Sequence, residues 1–291
     1  MMPKNQTSAR NLALDGLRGI AILLVVSFHN FGFVNEFIFG WLGVDLFFVL
    51  SGFLITGILL KTVGKPHYLR NFFARRILRI FPLYYLSLFI FLVLFPLLGI
   101  YENELAYYTH HQEWLWLYLQ NWLYSFYFTP TPSGFLAHFW SLAVEEQFYL
   151  VWPFVILWIR KPVQLIRVVL VILILVIIAR FLYWIYLTDD PFAPLFTYTR
   201  IDGLCIGSLL AILHYMKSPF LKKYFSVIVL FLAGINFIFY FFNRQKEFAL
   251  PYLAIAGYTT VAALFGLLVH VAVTGESKII NFEVYKRLPI W

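Results

Sequence analysis

Apolar side chains in this chain run in long unbroken stretches, and short polar clusters separate one stretch from the next. Apolar windows fall near 17–34, 38–60, 80–99, 141–159, 164–187, 200–216, 223–243 and 250–274. At 1.5 Å per residue each can cross a hydrocarbon core of ~30 Å, the sixth only just. Outer-membrane barrel strands would instead show short alternating segments. The pattern therefore predicts an all-α fold, a polytopic transmembrane helical bundle of about eight spans. The stretch 114–128 is aromatic, short and polar in its middle. By pattern alone it is a ninth span, a re-entrant piece or an interfacial one.

Composition narrows the class. Of 291 residues, 62% are hydrophobic and 12% charged, against roughly 45–50% and about 25% in soluble domains. With a mean hydropathy of +0.80, an ordinary water-soluble enzyme is excluded, and so is a disordered chain, which needs the opposite balance. The surplus of 22 Lys and Arg over 14 Asp and Glu is explained by membrane topology rather than by nucleic acid. With the N-terminus inside, eighteen of the 22 basic residues fall on the inner side, including Lys4, Arg10, Lys278, Lys286 and Arg287. Arg200, Arg244 and Lys246 stay outside, and Arg180 lies within a span. Segment 100–139 has no Lys or Arg at all, which marks it as external. A crossing at 114–128 would invert every later loop, so that stretch is read as non-crossing. The expectation is eight spans in one membrane domain, 1–291, with both ends cytoplasmic and the first span kept as a signal anchor. Cys205, the single cysteine, cannot form an internal disulfide.

Candidate chemistry comes from ionisable groups at membrane depth, which are costly and point to function. Eleven residues separate Arg18 from His29. That separation is within ~20° of three whole turns, so both project from one helix face, ~16 Å apart along the axis. The bland alternative is a snorkelling arginine and a hydrogen-bonded histidine. Asp45, near the start of the second span, is placed to orient the His29 imidazole; the competing reading is an N-terminal helix cap. Ser51-Gly52 reads as a close-packing point. Arg70, Arg75, Arg76 and Arg79 form a basic stretch that positive-inside topology would produce alone. Its guanidinium groups also suit a cytoplasmic polyphosphate. Glu145 and Glu146 point about 100° apart and are not a shared-proton dyad; one is expected to face a polar cavity. Arg180 and Arg200-Ile201-Asp202 read chiefly as a structural ion pair between helices. The remaining histidines show no metal-ligand spacing, so no metal site is expected.

Five of these segments in order resemble the membrane-bound acyltransferase 3 family. They are Leu14-Asp15-Gly16-Leu17-Arg18-Gly19 with His29; Gly43-Val44-Asp45-Leu46-Phe47-Phe48 through Ser51-Gly52-Phe53-Leu54; Arg75-Arg76-Ile77-Leu78-Arg79-Ile80 with Pro82; Trp140-Ser141-Leu142 with Glu145-Glu146-Gln147-Phe148-Tyr149; and Asp202-Gly203-Leu204 with Gly207. The resemblance covers residues 13 to about 275. It implies an integral protein of the bacterial inner membrane that moves an acyl group, often acetyl, from cytoplasmic acyl-CoA to a hydroxyl of an extracytoplasmic sugar or glycolipid. In that reading His29, Asp45 and Glu145 are catalytic, with His29 as general base. Arg18, Arg75, Arg76 and Arg79 hold the acyl-CoA phosphates, and no metal takes part. The family pattern continues for about two further spans, which a chain ending at Trp291 is expected to lack. Two rival readings are a transporter or flippase, in which the buried charges line a path, and an inactive partner protein.

Overall fold

The computed structural model describes residues 12–31, 40–126, 136–187, 195–244 and 252–275. Lys4, Arg10, Lys246, Lys278, Lys286 and Arg287, counted in the charge argument above, lie outside them. Thirteen α-helices and two π-helical turns make up the described fold, and no strand occurs among the described residues. They are α1 (Leu12–Phe31), α2 (Leu42–Thr62), α3 (Tyr68–Phe89), α4 (Phe95–Leu97), α5 (Glu102–His110), α6 (Gln112–Trp116) and α7 (Gln120–Phe126). They continue as α8 (Phe139–Ile159), α9 (Pro162–Leu187), α10 (Thr197–Arg200), α11 (Asp202–Tyr215), α12 (Phe220–Arg244) and α13 (Tyr258–Thr274).

Among the described residues, seven helical segments are long and apolar enough to cross a membrane. The sixth expected span is different. Its helix α11 has 14 residues, or about 21 Å, and Arg200 and Ile201 at its entrance belong to the preceding turn. It is nonetheless surrounded by protein, with Gly203, Leu204, Cys205, Ile206 and Gly207 all buried. A helix enclosed in a bundle need not match the full hydrocarbon thickness, because its ends meet polar side chains rather than lipid.

The contacts fix the direction of each helix. α1 and α2 are antiparallel, with Gly43 against Ala21 and Gly40 against Phe28. α2 and α8 run parallel, since Ser51 meets Glu145 and Thr56 meets Trp152. α3 opposes α8, with Tyr68 at Pro153 and Tyr84 beside Phe139. α11 runs with α2 and against α9, and α13 runs with α11. Successive long helices thus alternate in direction, and α11 takes its turn in that alternation.

α2 and α11 form the centre of the bundle. A Cβ on Gly52 would lie 2.0 Å from the Leu204 carbonyl oxygen, and one on Gly207 2.0 Å from that of Val49. Only glycine permits these two backbones to approach so closely, the packing that small residues give membrane helices. A hydrogen-bonded chain ties α8 to the pair. Trp152 Nε1 donates to Thr56 Oγ1, Thr56 donates to Ser208 Oγ, and Ser208 donates to the Leu204 carbonyl, each at 2.8 Å.

One expectation is corrected and another holds. The basic stretch 68–79, which lies before the apolar window 80–99, is not a loop. Tyr68 begins a helix that continues through the π-helical turn Ile90–Leu94 to Leu97, because Arg and Leu are good helix formers and Pro82 is absorbed as an interior proline. The stretch 114–126 does not cross. It folds as the end of α6 and the whole of α7, which dip toward α3 and α8, and side chains satisfy the carbonyls its turns expose. Tyr84 donates to the Leu115 carbonyl, Tyr85 to that of Trp116 and Gln147 to that of Tyr118. Irregular backbone among membrane helices persists only where protein supplies such partners.

Candidate active site

α1 carries Arg18 and His29 on one helix, as the spacing requires. Arg18 pairs with Asp15 one turn earlier at 3.6 Å, a half-exposed contact. His29 is exposed at the far end of the helix, and its ring lies 5.8 Å from that of His138, centroid to centroid. His138 precedes α8 and was not singled out by the sequence. Burial, and then the charge of His29, hold the His138 imidazole below the ordinary histidine value. A neutral ring there can exchange hydrogen bonds without competing for charge.

Asp45 does not pair with His29. Its Oδ1 accepts from Arg200 Nη2 at 3.1 Å, and both side chains are almost wholly buried. The partner lies 155 residues away, beyond what local spacing reveals. Asp45 is not the helix cap either: the N-cap of α2 is Trp41, with no side-chain hydrogen bond, and Asp45 lies in the first turn, where its charge suits the helix dipole. Next to this pair, Arg180 Nη2 meets Asp202 Oδ1 at 2.8 Å. Arg180 Nε donates to the Thr199 carbonyl at 2.6 Å, and Thr259 bridges Arg180 and Asp202. The Arg200 guanidinium sits 3.8 Å from the centroid of the Tyr258 ring and 5.3 Å from that of Trp140, where aromatic faces attract the cation. Two arginines and two aspartates thus neutralise one another and join α2, α9, α10, α11 and α13. The expected Arg180–Asp202 ion pair is present, and Arg200 extends it to Asp45.

A second polar cluster lies about 9 Å further along α2, six residues past Asp45. Ser51 Oγ donates to Glu145 Oε1 at 2.9 Å, and the Tyr149 hydroxyl donates to Glu145 Oε2 at 3.0 Å. Arg76 stands over the Tyr149 ring, 5.4 Å from its centroid. Arg18 and Arg76 both act electrostatically on the Glu145 carboxylate. Ser51 and Glu145 are only partly buried, so this cluster, unlike the first, remains reachable from within the bundle. Glu146 turns away, as the 100° step requires, and lines a separate cavity with Arg76. Ser51 beside Gly52 therefore has a polar role in addition to the close packing expected of the pair. The i, i+4 spacing of Glu145 and Tyr149 was the available signal for their contact.

The basic stretch divides. Arg76 faces the bundle, while Arg75 and Arg79 are exposed on the same helix. Among the described residues no group of three or more His, Cys, Asp or Glu is arranged to hold a metal ion.

The acyltransferase 3 family model, an acyltransferase domain, matches residues 11–282. The chain belongs to this family. Among relatives, YrhL of Bacillus subtilis is 38% identical over 223 residues, covering 70% of this chain and 33% of YrhL. The peptidoglycan O-acetyltransferase OatA of Listeria monocytogenes is 32% identical over 212 residues, 68% of this chain and 33% of the relative. The O-acetyltransferase OatA of Staphylococcus aureus is 34% identical over 239 residues, 77% and 38% of the two chains. The acyltransferase 3 chain described here thus spans about a third of the length of these relatives. No solved structure matches it significantly.

Proposed function

We propose that the chain is the membrane domain of an O-acetyltransferase that moves an acetyl group from acyl-CoA, bound from the cytoplasm, to a hydroxyl of an extracytoplasmic cell-wall carbohydrate such as peptidoglycan. In this reading it lies in a bacterial inner membrane with its N-terminus inside. The observation that carries it is the placement of Arg18 and His29 at two depths on one helix, with Glu145, Ser51, Tyr149 and Arg76 gathered beside the same bundle interior. Arg75 and Arg79, exposed on α3, hold CoA phosphates by charge-assisted hydrogen bonds. Arg18 and Arg76 supply further positive charge on the donor's way inward.

His29 takes the proton of the acceptor hydroxyl. The freed oxygen attacks the thioester carbonyl carbon, the carbon–sulfur bond breaks, and the CoA thiolate recovers the proton from His29. His138, whose ring abuts that of His29, limits the positions the imidazole can adopt. Glu145 holds the Ser51 and Tyr149 hydroxyls and offsets part of the charge of the two arginines. Asp45 contributes by anchoring α2 to Arg200, at one remove from the chemistry. Reconstituted vesicles containing the protein, labelled acetyl-CoA on one side and a carbohydrate acceptor on the other test this directly. Label bound to the acceptor is the expected result; an acceptor that crosses the membrane unlabelled, or acquires no label, would overturn it.

A further inference from the structure

The cavity between α3 and α8 holds polar atoms for which the acyl-transfer reading has no use. It has a volume of about 260 Å³ and lies beneath Leu117 and Tyr118, the turn between α6 and α7. Leu117 and Leu150 at its rim are exposed and apolar, while Arg76, Glu146 and Tyr118 supply polar groups to its lining. Gln147 and Tyr149 also line it, but their polar atoms are engaged in hydrogen bonds elsewhere.

Tyr118 is held firmly. Its φ of 55° is left-handed, a conformation that non-glycine residues adopt only under constraint. Its carbonyl accepts from Gln147 Nε2 at 2.7 Å, and its ring stacks on Tyr84 with centroids 4.0 Å apart. Phenylalanine would satisfy all of this. Yet the residue is only 7% exposed, and among the described residues its hydroxyl has no hydrogen-bond partner, nor has the buried Oε1 of Glu146. The two groups are electrostatically coupled, so they belong to one locality. A phenol and a carboxylate oxygen taken out of water without partners are costly, and a bound group that pairs with both would remove that cost.

The missing group must present a donor to Glu146 and an acceptor to Tyr118. It must be neutral, because the charges of Arg18 and Arg76 already offset those of Glu145 and Glu146. Apart from those two positions its surroundings are largely apolar, which disfavours a sugar ring with several hydroxyls left unpaired. A secondary amide meets these conditions, with its N–H and its carbonyl on opposite edges.

We propose that this cavity is a secondary-amide subsite, in which the Glu146 carboxylate accepts the amide N–H and the Tyr118 hydroxyl donates to the amide carbonyl. The inference rests on the acyl-transfer reading for its two sources of amide: the pantetheine arm of an acyl-CoA donor, or the N-acyl group of an amino-sugar acceptor.

The test uses the full chain in nanodiscs and saturation-transfer NMR, with pantetheine, N-acetylglucosamine and, as an amide-free control, glucose as probes. Binding of one amide probe is expected, and which one identifies the source. Tyr118→Phe should weaken that binding about tenfold, since one hydrogen bond is lost. Leu117→Trp, at an exposed rim position, should abolish it by filling the mouth. Either variant alone suffices if the other fails to fold. Binding of neither amide probe, binding that both folded variants retain, or glucose binding with the same dependence would overturn the proposal. Label transfer from acetyl-CoA, followed separately, distinguishes the two readings: loss of amide recognition with transfer intact condemns the subsite alone, and amide recognition without transfer condemns the enzymatic reading alone.

Discussion

Two regions of the bundle bury charge, about 9 Å apart along α2 by the helical rise, and they are built in opposite ways. Around Asp45, Arg180, Arg200 and Asp202 the charges cancel in two pairs, and no member is more than 3% exposed. Around Glu145, Arg76 and Glu146 the groups are partly accessible, and Glu146 directs an unbonded oxygen into a cavity lining. Ionisable residues at membrane depth thus divide by closure. A set whose charges pair with one another and that is closed off fastens helices together, whereas one that borders a cavity is available to a ligand.

The largest effect that sharpens this contrast comes from breaking the closed set. Arg200→Ala leaves Asp45 buried and uncompensated, which should cost about 3–5 kcal/mol. The expected outcome is loss of folded protein in detergent, read by thermal unfolding, with much of the stability recovered when Asp45→Asn is added. Equal stability of the single variant and wild type would show that the knot holds nothing together.

Chemistry rather than folding should fail at the far end of α1. His29→Ala is expected to lower acetyl transfer by ~10²–10⁴-fold, the usual contribution of a general base, with unchanged unfolding temperature because the side chain is exposed. Near-normal transfer would require a different base. For the same reason, transfer should fall at acid pH, since the imidazole must be unprotonated to accept the hydroxyl proton.

The smallest effects belong to the basic helix. Arg75→Gln, at an exposed position, should weaken acyl-CoA binding only a few-fold and flatten its dependence on salt, because exposed phosphate contacts are screened. Arg76→Gln should do more, since Arg76 also faces Glu145 and Tyr149. Equal losses in both variants, measured by equilibrium binding at two ionic strengths, would erase the division that the structure makes between them.

Much of this arrangement is readable in the chain. Seven of the eight apolar windows become helices of spanning length, because hydrocarbon thickness dictates a length that hydropathy reports. The eighth is shorter, since α11 is bounded by protein on all sides and hydropathy cannot distinguish protein from lipid. Helix periodicity put Arg18 and His29 on one face and separated Glu145 from Glu146. Partners distant in sequence were not legible. Asp45 has its own strong local alternative in His29, and only the packing of α11 against α2 brings the preceding Arg200 to it instead. Tyr118 carries no local signal of any kind; its importance arises from a turn that folds back among α3 and α8.

The most direct test of the distinction between closed and open charge compares two variants for acetyl transfer per folded molecule in vesicles. One is the double variant Arg180→Gln with Asp202→Asn, which neutralises a closed pair and keeps its shape. The other is Glu145→Gln, which neutralises the centre of the open cluster. The account expects the double variant to transfer acetyl within about twofold of wild type, whatever its melting temperature, and Glu145→Gln to fold normally but lose at least about tenfold in transfer, the lower range for loss of a charged hydrogen-bond partner. The opposite pattern, with Glu145→Gln fully active and the double variant folded but inert, would contradict it.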